Sequence, residues 1–265
     1  MNKFPKIMAI VNATSDSFSD GGDYYCFETA VNYIKQVIDS GEADIIDIGG
    51  ESSRQGADTI SLDEEIKRTI PIIEEIRRYN QKIQISIDTV KYEVAKLAIE
   101  AGANIINDIS GLKSDIRMGQ LAAAHNVAYI LMHRKGTAKD MQINPQYDNI
   151  QLEVFNFLQS QIKLAKDLGI KSIYADFGIG FGKNYQHNIE LLKNISFFYK
   201  LNVPLVLGIS RKRFIGEMTN IEKAKDRDLA TLLIHTLLLK ENIDIIRVHN
   251  LKEYKLLKRI FLELL

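Results

Sequence analysis

The sequence predicts a single (β/α)8 barrel, the TIM-barrel architecture of the α/β class, and three observations carry that prediction. Short apolar runs alternate with segments of helical apolar spacing, in eight strand–helix units. The length of 265 residues matches one α/β barrel, typically about 250 residues. No linker or shift in composition divides residues 1–265, so one domain is predicted. A doubly wound open sheet is the alternative, but it seldom contains eight complete units in so few residues.

The predicted strands are short, apolar and bounded by glycine or polar residues. They are residues 7–11, 43–48, 83–87, 104–106, 127–132, 172–175, 205–207 and 245–246. Such runs are typical of strands in a parallel sheet that is covered on both faces.

The predicted helices have apolar residues recurring every three or four positions. They are residues 27–38, 62–79, 91–101, 115–125, 150–168, 188–200, 228–240 and 251–264. Pro71 lies in the middle of the second helix and predicts a kink or a division there. Residues 134–148 are polar and irregular, and we predict a long mobile loop.

The composition argues against some classes of binding partner and indicates the cellular compartment of the protein. The 34 basic and 34 acidic side chains give a net charge of zero, which argues against nucleic acid and against an anionic membrane surface as partners. Cys26 is the single cysteine, so an intrachain disulfide is impossible. No apolar run approaches the roughly 18 residues of a membrane span, and the short run after Lys6 does not fit a signal peptide. A cytoplasmic protein is predicted.

Polar residues lie at or just after the end of every predicted strand. They are Asn12, Asp47, Asp88, Asn107, His133, Asp176, Ser210 to Lys212, and Arg247 with His249. A single such aspartate is as well explained as the N-cap of the next helix. In a closed barrel, however, all eight strand ends converge on one face, where barrel enzymes carry their active sites. The pattern predicts an active site.

The types of side chain predict a planar, anionic ligand. Asp88, Asn107 and Asp176 offer acceptors to the N–H groups of a flat heterocycle such as a 2-amino-4-oxo ring. Cationic donors near the last two strands predict a site for a phosphate group. These donors are Lys212, Arg247 and His249, with Arg54 from the second loop. Asn12 could add an oxygen ligand to a Mg²⁺ that phosphates largely coordinate.

The sequence lacks the residue patterns of several other catalytic classes. The sequence has no His, Cys and Glu cluster with the spacing of a protein-only zinc site, and no Ser-His-Asp or Cys-His arrangement. Gly178, Gly180 and Gly182 alternate too closely for the dinucleotide-binding fingerprint and suit a close approach of the backbone to a flat ligand. Residue patterns alone therefore predict a barrel enzyme for a planar phosphorylated substrate, without naming its reaction.

Eight segments in order give the chain a family resemblance over nearly its whole length. They are residues 10–22, 47–54, 86–89, 106–109, 131–133, 176–183, 210–216 and 247–249. In these segments the sequence resembles the dihydropteroate synthases. The resemblance implies condensation of 6-hydroxymethyl-7,8-dihydropterin diphosphate with p-aminobenzoate in folate synthesis, with Mg²⁺ as cofactor and a homodimer as the assembly.

The resemblance also implies roles for individual residues. The pterin would be held by Asp88, Asn107, Asp176 and Lys212. The diphosphate would be bound by Asn12, Arg54, Arg247 and His249, with Asn12 also at the metal. The p-aminobenzoate would be surrounded by Ser53, Phe181, Ser210 and Lys212. Asp16, Phe18 and Asp20 would belong to a catalytic first loop, with Phe18 covering the p-aminobenzoate ring, alongside Arg54 and Lys212.

Three departures from the family pattern fall in the active-site loops. Ser15, Gln55 and Phe177 stand where the family usually has proline. Loss of a residue that fixes φ predicts looser loops, and with them altered affinity for p-aminobenzoate and altered sensitivity to sulfonamides, which mimic it. The pterin and phosphate residues are unaffected.

Three rival functions share part of this pattern. A pterin-binding methyltransferase would use the pterin carboxylates but has no use for the cationic pocket formed by residues 210–212, 247 and 249. An isomerase or aldolase acting on sugar phosphates would explain only the cations. A catalytically inactive pterin-binding protein is the non-enzymatic alternative.

Overall fold

The computed structural model describes residues 3–13, 22–54 and 56–264, with residues 22–26 described by their backbone alone. Eight parallel strands form a closed barrel in sequence order, and β8 pairs with β1. The strands are β1 (Lys6–Asn12), β2 (Ile45–Gly49), β3 (Gln84–Asp88), β4 (Ile105–Asp108), β5 (Ala128–Met132), β6 (Ile173–Asp176), β7 (Leu205–Leu207) and β8 (Ile245–Val248). Closure confirms the predicted (β/α)8 barrel and excludes the open sheet.

The helices surround the barrel. They are α1 (Gly22–Ser40), α2 (Leu62–Tyr79), α3 (Tyr92–Glu100), α4 (Arg117–His125), α5 (Ile150–Asp167), α6 (Tyr185–Lys193), α7 (Arg213–Thr219), α8 (Asp228–Leu238) and α9 (Lys252–Leu264). In the described part of the chain, no helix has both the length and the apolar character needed to cross a bilayer.

Three of the predicted helical features differ from the structure. The helix α7 was not predicted, because it is only seven residues long and its buried residues, Phe214, Ile215 and Gly216, are consecutive rather than periodic. The predicted helix 188–200 is instead α6 followed by a 3-10 turn, Ile195–Leu201. Division of α2 at Pro71 was wrong: the helix is continuous, and Pro71 is exposed, where water can satisfy the carbonyl group that proline leaves without a donor.

The barrel interior changes from apolar to polar within two residues along several strands. A small buried cluster, separate from the main core, contains Met8, Ile45, Ile105, Ile130, Val206 and Ile245. Because side chains on a strand alternate between faces, the residue two positions later points the same way. Asp47, Asn107 and Arg247 each follow a member of this cluster by two residues. The apolar cluster therefore forms one layer inside the barrel, and the polar residues form the next layer toward the carboxyl ends of the strands.

Candidate active site

Strand register places several predicted site residues at the same height. Asn12 pairs with Gly49, Gly49 pairs with Asp88, and Asp88 pairs with Asn107. Parallel strands in a barrel end at one face, which we call the mouth. The predicted convergence of these side chains at the mouth therefore follows directly from the pairing of β1 to β4.

Arg247 occupies the centre of the mouth between two carboxylates. Its Nε donates to Asp47 Oδ2 at 2.5 Å, and its Nη2 donates to Asp88 Oδ2 at 2.6 Å. Asn107 Nδ2 donates to the same Asp47 oxygen at 3.2 Å. The side chain of Asp47 is 0% exposed, so its charge is compensated by these contacts rather than by water. A single guanidinium thus connects β8 to β2 and β3.

Burial and charge act in opposite directions on this cluster. Burial raises the pKa of Asp88 above its ordinary value, and the adjacent Arg247 guanidinium acts to lower it. Burial would lower the pKa of Arg247, but the carboxylates of Asp47 and Asp88 more than reverse that effect and raise it. Arg247 therefore stays protonated and places a fixed positive charge next to both carboxyl groups.

Asp176 and Lys212 form the other wall of the mouth. Asp176 Oδ1 accepts a hydrogen bond of 2.7 Å from the backbone N–H of Gly178. Lys212 Nζ donates to the carbonyl of Ile179 and lies 4.5 Å from the centroid of the Phe181 ring. Burial raises the pKa of Asp176, and Lys212 acts to lower it. This wall offers one acceptor, one cation and one aromatic face.

A buried lysine holds the glycine-rich loop after β6. The residue Lys183 is 2% exposed, and its Nζ donates to the carbonyls of Gly178 at 2.8 Å and Phe181 at 3.1 Å. The same atom lies 2.9 Å from Nδ1 of His133, at the end of β5. Burial, with Lys183 nearby, lowers the pKa of His133 to about 2, so the ring is neutral and can accept this bond. Lys183 therefore joins the ends of β5 and β6.

Gly178 is required by this packing. Its φ is +65°, and a Cβ there would lie 1.9 Å from the carbonyl oxygen of His133. We expect Gly178→Ala to lower the free energy of unfolding by about 3 kcal/mol, because the backbone must move to accommodate the added methyl group. Gly41→Ala is the matched control: it has the same φ of +65° with no atom within 4 Å, so only backbone strain of about 1 kcal/mol is expected. Urea unfolding measures both, and equal losses would contradict this explanation.

His249 and Ser210 are joined at the end of β8. Nδ1 of His249 lies 3.0 Å from Ser210 Oγ, which also accepts a 3.2 Å hydrogen bond from the His249 backbone N–H. Burial lowers the pKa of His249 to about 3, and Arg211 and Arg247 add to the effect. The imidazole is therefore neutral and acts as a hydrogen-bonding group beside the cations.

The second loop, residues 50–61, is partly exposed to solvent in its described residues, 50–54 and 56–61. Ser53 is half-buried and Arg54 is exposed, while Glu51, Ser52 and Ser53 line a cleft that reaches Asp88 and Arg134. Ser53 and Asp88 thus lie on one continuous surface, whereas the exposed Arg54 is not part of the cleft lining.

Comparison with known proteins shows what this arrangement is related to. The model of the pterin binding enzyme family matches residues 8–249. A dihydropteroate synthase of Clostridium beijerinckii is 44% identical over 251 residues, which cover 93% of this chain and 89% of that protein. The chain belongs to the dihydropteroate synthase family. The family resemblance of the sequence is thereby confirmed.

Solved structures of this family superpose closely on the barrel. The dihydropteroate synthase of Xanthomonas albilineans with 4-aminobenzoic acid has a TM-score of 0.90 at 36% identity, covering 98% of this chain and 92% of that one. A Yersinia pestis dihydropteroate synthase in complex with a sulfonamide drug also has a TM-score of 0.90, at 34% identity, covering 98% and 94%. The fold match therefore extends over both chains.

Within this candidate site, the sequence patterns did not indicate two residues that make central contacts. Asp47 appeared among the strand ends but not among the site residues, although the spacing from Ile45 to Asp47 signals an inward-facing carboxylate. Lys183 closes the glycine-rich segment and carried no separate signal, because an exposed lysine after a loop has the same sequence pattern.

Several predicted synthase residues lie outside the described part of the chain. They are Asp16, Phe18 and Asp20 of the first loop, and two of the proline replacements, Ser15 and Gln55. The third replacement, Phe177, is 0% exposed and packs 5.0 Å, ring to ring, from Phe198. Its side chain is thus part of the core, where a smaller proline ring would leave space.

The residues present fit the predicted Mg²⁺ only as a partial ligand set. Among the described residues no group of three or more His, Cys, Asp and Glu side chains could hold a metal. Asn12 at the end of β1 offers one amide oxygen, which suits an ion that takes most of its ligands from water and phosphate.

Proposed function

We propose that the mouth condenses 6-hydroxymethyl-7,8-dihydropterin diphosphate with p-aminobenzoate, giving 7,8-dihydropteroate and diphosphate. The observation that carries this proposal is the combination in one mouth of buried acceptors for a flat N–H-bearing ring with a group of cations. Asp88, Asn107 and Asp176 supply the acceptors. The membership of the dihydropteroate synthase family supports the choice of this reaction over the rival functions.

The pterin replaces Arg247 at Asp88. The Arg247 guanidinium donates to both Asp47 and Asp88, so the pocket holds a donor group of its own. The 2-amino and ring N–H groups of a pterin are planar donors of similar geometry. When they bind Asp88 and Asp176, with Asn107 and Lys212 at the ring edge, Arg247 is released from one carboxylate.

The released guanidinium then binds the diphosphate. The charges of Arg247 and Arg54 both act on His249, and these three residues, with Asn12, would bind the substrate's anionic tail where it leaves the pterin pocket. An anion next to His249 would raise the pKa of its imidazole from the low value that burial and neighbouring cations impose. Mg²⁺, held by Asn12 and the phosphate oxygens, would supply additional positive charge to the departing diphosphate.

The reaction needs no covalent enzyme nucleophile. The bond between the pterin methylene carbon and the diphosphate oxygen breaks, and its electron pair leaves with the diphosphate. The conjugated ring spreads the resulting positive charge, and the carboxylates of Asp88 and Asp176 stabilise it electrostatically. The aniline nitrogen of p-aminobenzoate attacks the methylene carbon and releases a proton to solvent. This second substrate is oriented by Ser53, Phe181, Ser210 and Lys212.

The test is an assay of diphosphate release with Mg²⁺ and each substrate in turn. The protein should release diphosphate only when the pterin diphosphate and p-aminobenzoate are both present. No release by folded protein with both substrates would overturn the proposal. Methyl transfer from methyltetrahydrofolate would instead support the methyltransferase.

The activity should fall at alkaline pH because of Lys212. Burial lowers the pKa of Lys212 to about 8, although Asp176 acts to raise it. As the pH rises through that value the ammonium loses its proton, so kcat/KM for the pterin diphosphate should decline above about pH 8. In Lys212→Arg the cation stays protonated, and the decline should move to higher pH. An identical alkaline decline in both proteins would assign it to another group.

We also propose that the protein is a homodimer and resides in the cytoplasm. Two apolar stripes with a spacing of four residues face solvent on adjacent helices. They contain Leu229, Leu233 and Leu237 on α8, and Leu256, Ile260 and Leu264 on α9. A second copy of the chain is the occupant that the family resemblance implies. The single cysteine, Cys26, is consistent with a reducing compartment.

Light scattering of the purified protein tests the dimer. The wild-type protein should have twice the mass of one chain, and Leu233→Lys should reduce it to one chain, because a charge in an apolar interface must be desolvated. Leu152→Lys is the matched control, since Leu152 is also an exposed leucine, 48% exposed, but lies on α5 outside the stripes. A monomeric wild-type protein, or a dimer that survives Leu233→Lys, would contradict this assembly.

A further inference from the structure

A network of ionic contacts lies beside the mouth and takes no part in the steps above. Lys91, the N-cap residue of α3, directs its Nζ to three acceptors. It donates to Glu51 Oε2 at 2.8 Å, to Glu65 Oε2 at 2.5 Å and to the carbonyl of Ile60 at 3.1 Å. Three acceptors match the three hydrogens of an ammonium group. Lys91 is therefore fully bonded.

Two of these acceptors stand at opposite ends of the second loop. Glu51 follows β2, and Ile60 precedes α2. Glu51 Oε2 additionally accepts a 3.1 Å hydrogen bond from the Ile60 backbone N–H. Lys91 thus closes the base of the second loop, whose middle carries Ser53 and Arg54. Further along, the N–H of Gly56 donates to the carbonyl of Ala138, which attaches the same loop to the one after β5.

The third acceptor connects the loop to a pterin carboxylate. The side chain of Glu65 is 2% exposed, and its Oε1 accepts a 2.6 Å hydrogen bond from Thr89 Oγ1. Thr89 directly follows Asp88, and its hydroxyl oxygen accepts a 3.1 Å bond from the Lys91 backbone N–H. The chain of contacts therefore runs from the second loop through Lys91 and Glu65 to the turn that carries Asp88.

Charge makes Lys91 the critical member of this network. Glu51 and Glu65 place two carboxylates around one ammonium, and Lys91 is the cation within ion-pair distance of both among the described residues. Without Lys91 the two carboxylates repel each other across the loop base. Glu65 is buried and fixed by Thr89, so Glu51, on the more exposed loop, is the group that moves.

We propose that Lys91 is a positioning residue for p-aminobenzoate, which fixes the second loop at a set distance from Asp88. The proposal rests on the function proposed above, because that function assigns Ser53 to p-aminobenzoate and Asp88 to the pterin. Loss of Lys91 displaces the loop while Thr89 and Glu65 still hold the pterin side. Loss of Lys91 therefore weakens the binding of the second substrate, p-aminobenzoate, rather than that of the pterin.

The test compares Lys91→Met with Lys96→Met by steady-state kinetics. Lys96 is on the same helix, is exposed, and lies 4.0 Å from Glu100 in an ordinary surface ion pair. Lys91→Met should raise KM for p-aminobenzoate by about 10-fold, with a change below about 3-fold for the pterin diphosphate. Lys96→Met should match wild type, and Lys91→Arg should restore part of the loss. Equal changes in both KM values, or none, would overturn the proposal.

Hydrogen exchange gives a readout without substrates. In Lys91→Met, amides of residues 50–54 and 56–61 should exchange faster than in wild type, while those of β3 stay protected. If Lys91→Met does not fold, Glu51→Gln is the second variant, because it keeps the buried Lys91–Glu65 pair. Glu51→Gln should show the same changes in KM and in exchange, at smaller size. Wild-type kinetics and wild-type exchange in Glu51→Gln would overturn the proposal. A wild-type protein that makes no dihydropteroate would instead refute the proposed function, and the exchange result would still decide whether Lys91 holds the loop.

Discussion

Replacing Asp176 with alanine should abolish nearly all turnover while the barrel remains folded. The carboxylate is 6% exposed at the mouth and would accept charge-assisted hydrogen bonds from the pterin. Loss of those bonds and of the adjacent negative charge should lower kcat/KM by about 1,000-fold. The same change removes a buried carboxylate, and burial raises the pKa of this group. The loss of stability should therefore be small.

Paired measurements of kcat/KM and of the unfolding midpoint test this expectation. Asp176→Asn is the control variant, because the amide oxygen can still accept from the Gly178 N–H while the charge is gone. It should retain the stability of wild type and remain strongly impaired. A loss of stability in Asp176→Ala that accounts for the lost activity would assign Asp176 to the core instead.

Replacing Arg247 with alanine should have the largest effect on stability. The guanidinium contacts Asp47 and Asp88, whose side chains are 0% and 15% exposed, so its removal leaves two carboxylates without their cation. Breaking a buried ion pair from one side typically costs about 3–5 kcal/mol. Urea unfolding should show a loss of that size at pH 8, together with loss of diphosphate release.

The pH dependence of this loss has a defined sign. Burial already raises the pKa of Asp88 in the folded state above its unfolded value, and in Arg247→Ala it should rise further because the cation that lowers it is gone. The folded state then binds more protons than the unfolded state, so stability falls as the pH rises through this range. The variant should therefore be closer to wild type at pH 5 than at pH 8. Adding Asp47→Asn should restore part of the stability at pH 8, whereas a pH-independent loss would contradict the account.

The sequence predicted the barrel and the positions of most polar residues because both depend on local patterns. Each strand is an apolar run with polar residues at or close to its end, and closure of the barrel brings those ends together without further information. The pairs Gly49 with Asp88 and Asp88 with Asn107 follow from the parallel pairing of neighbouring strands.

Contacts between distant side chains could not be predicted in the same way. The Arg247–Asp47 contact joins residues 200 positions apart, and several cations near the mouth could have taken that place. Lys183 shows the same limit of local patterns, because its burial depends on carbonyl groups that only the folded loop directs inward. The short helix α7 was not predicted for a third reason: seven residues do not establish a helical period.

The most direct test of the central claim is quantification of both products in one reaction. Purified protein with Mg²⁺, 6-hydroxymethyl-7,8-dihydropterin diphosphate and p-aminobenzoate should form 7,8-dihydropteroate and diphosphate in a one-to-one ratio, measured by mass spectrometry and a coupled diphosphate assay. Asp176→Ala should form neither above background. Diphosphate without dihydropteroate, or no product from folded wild-type protein, would contradict the assignment of this mouth as a dihydropteroate synthase site.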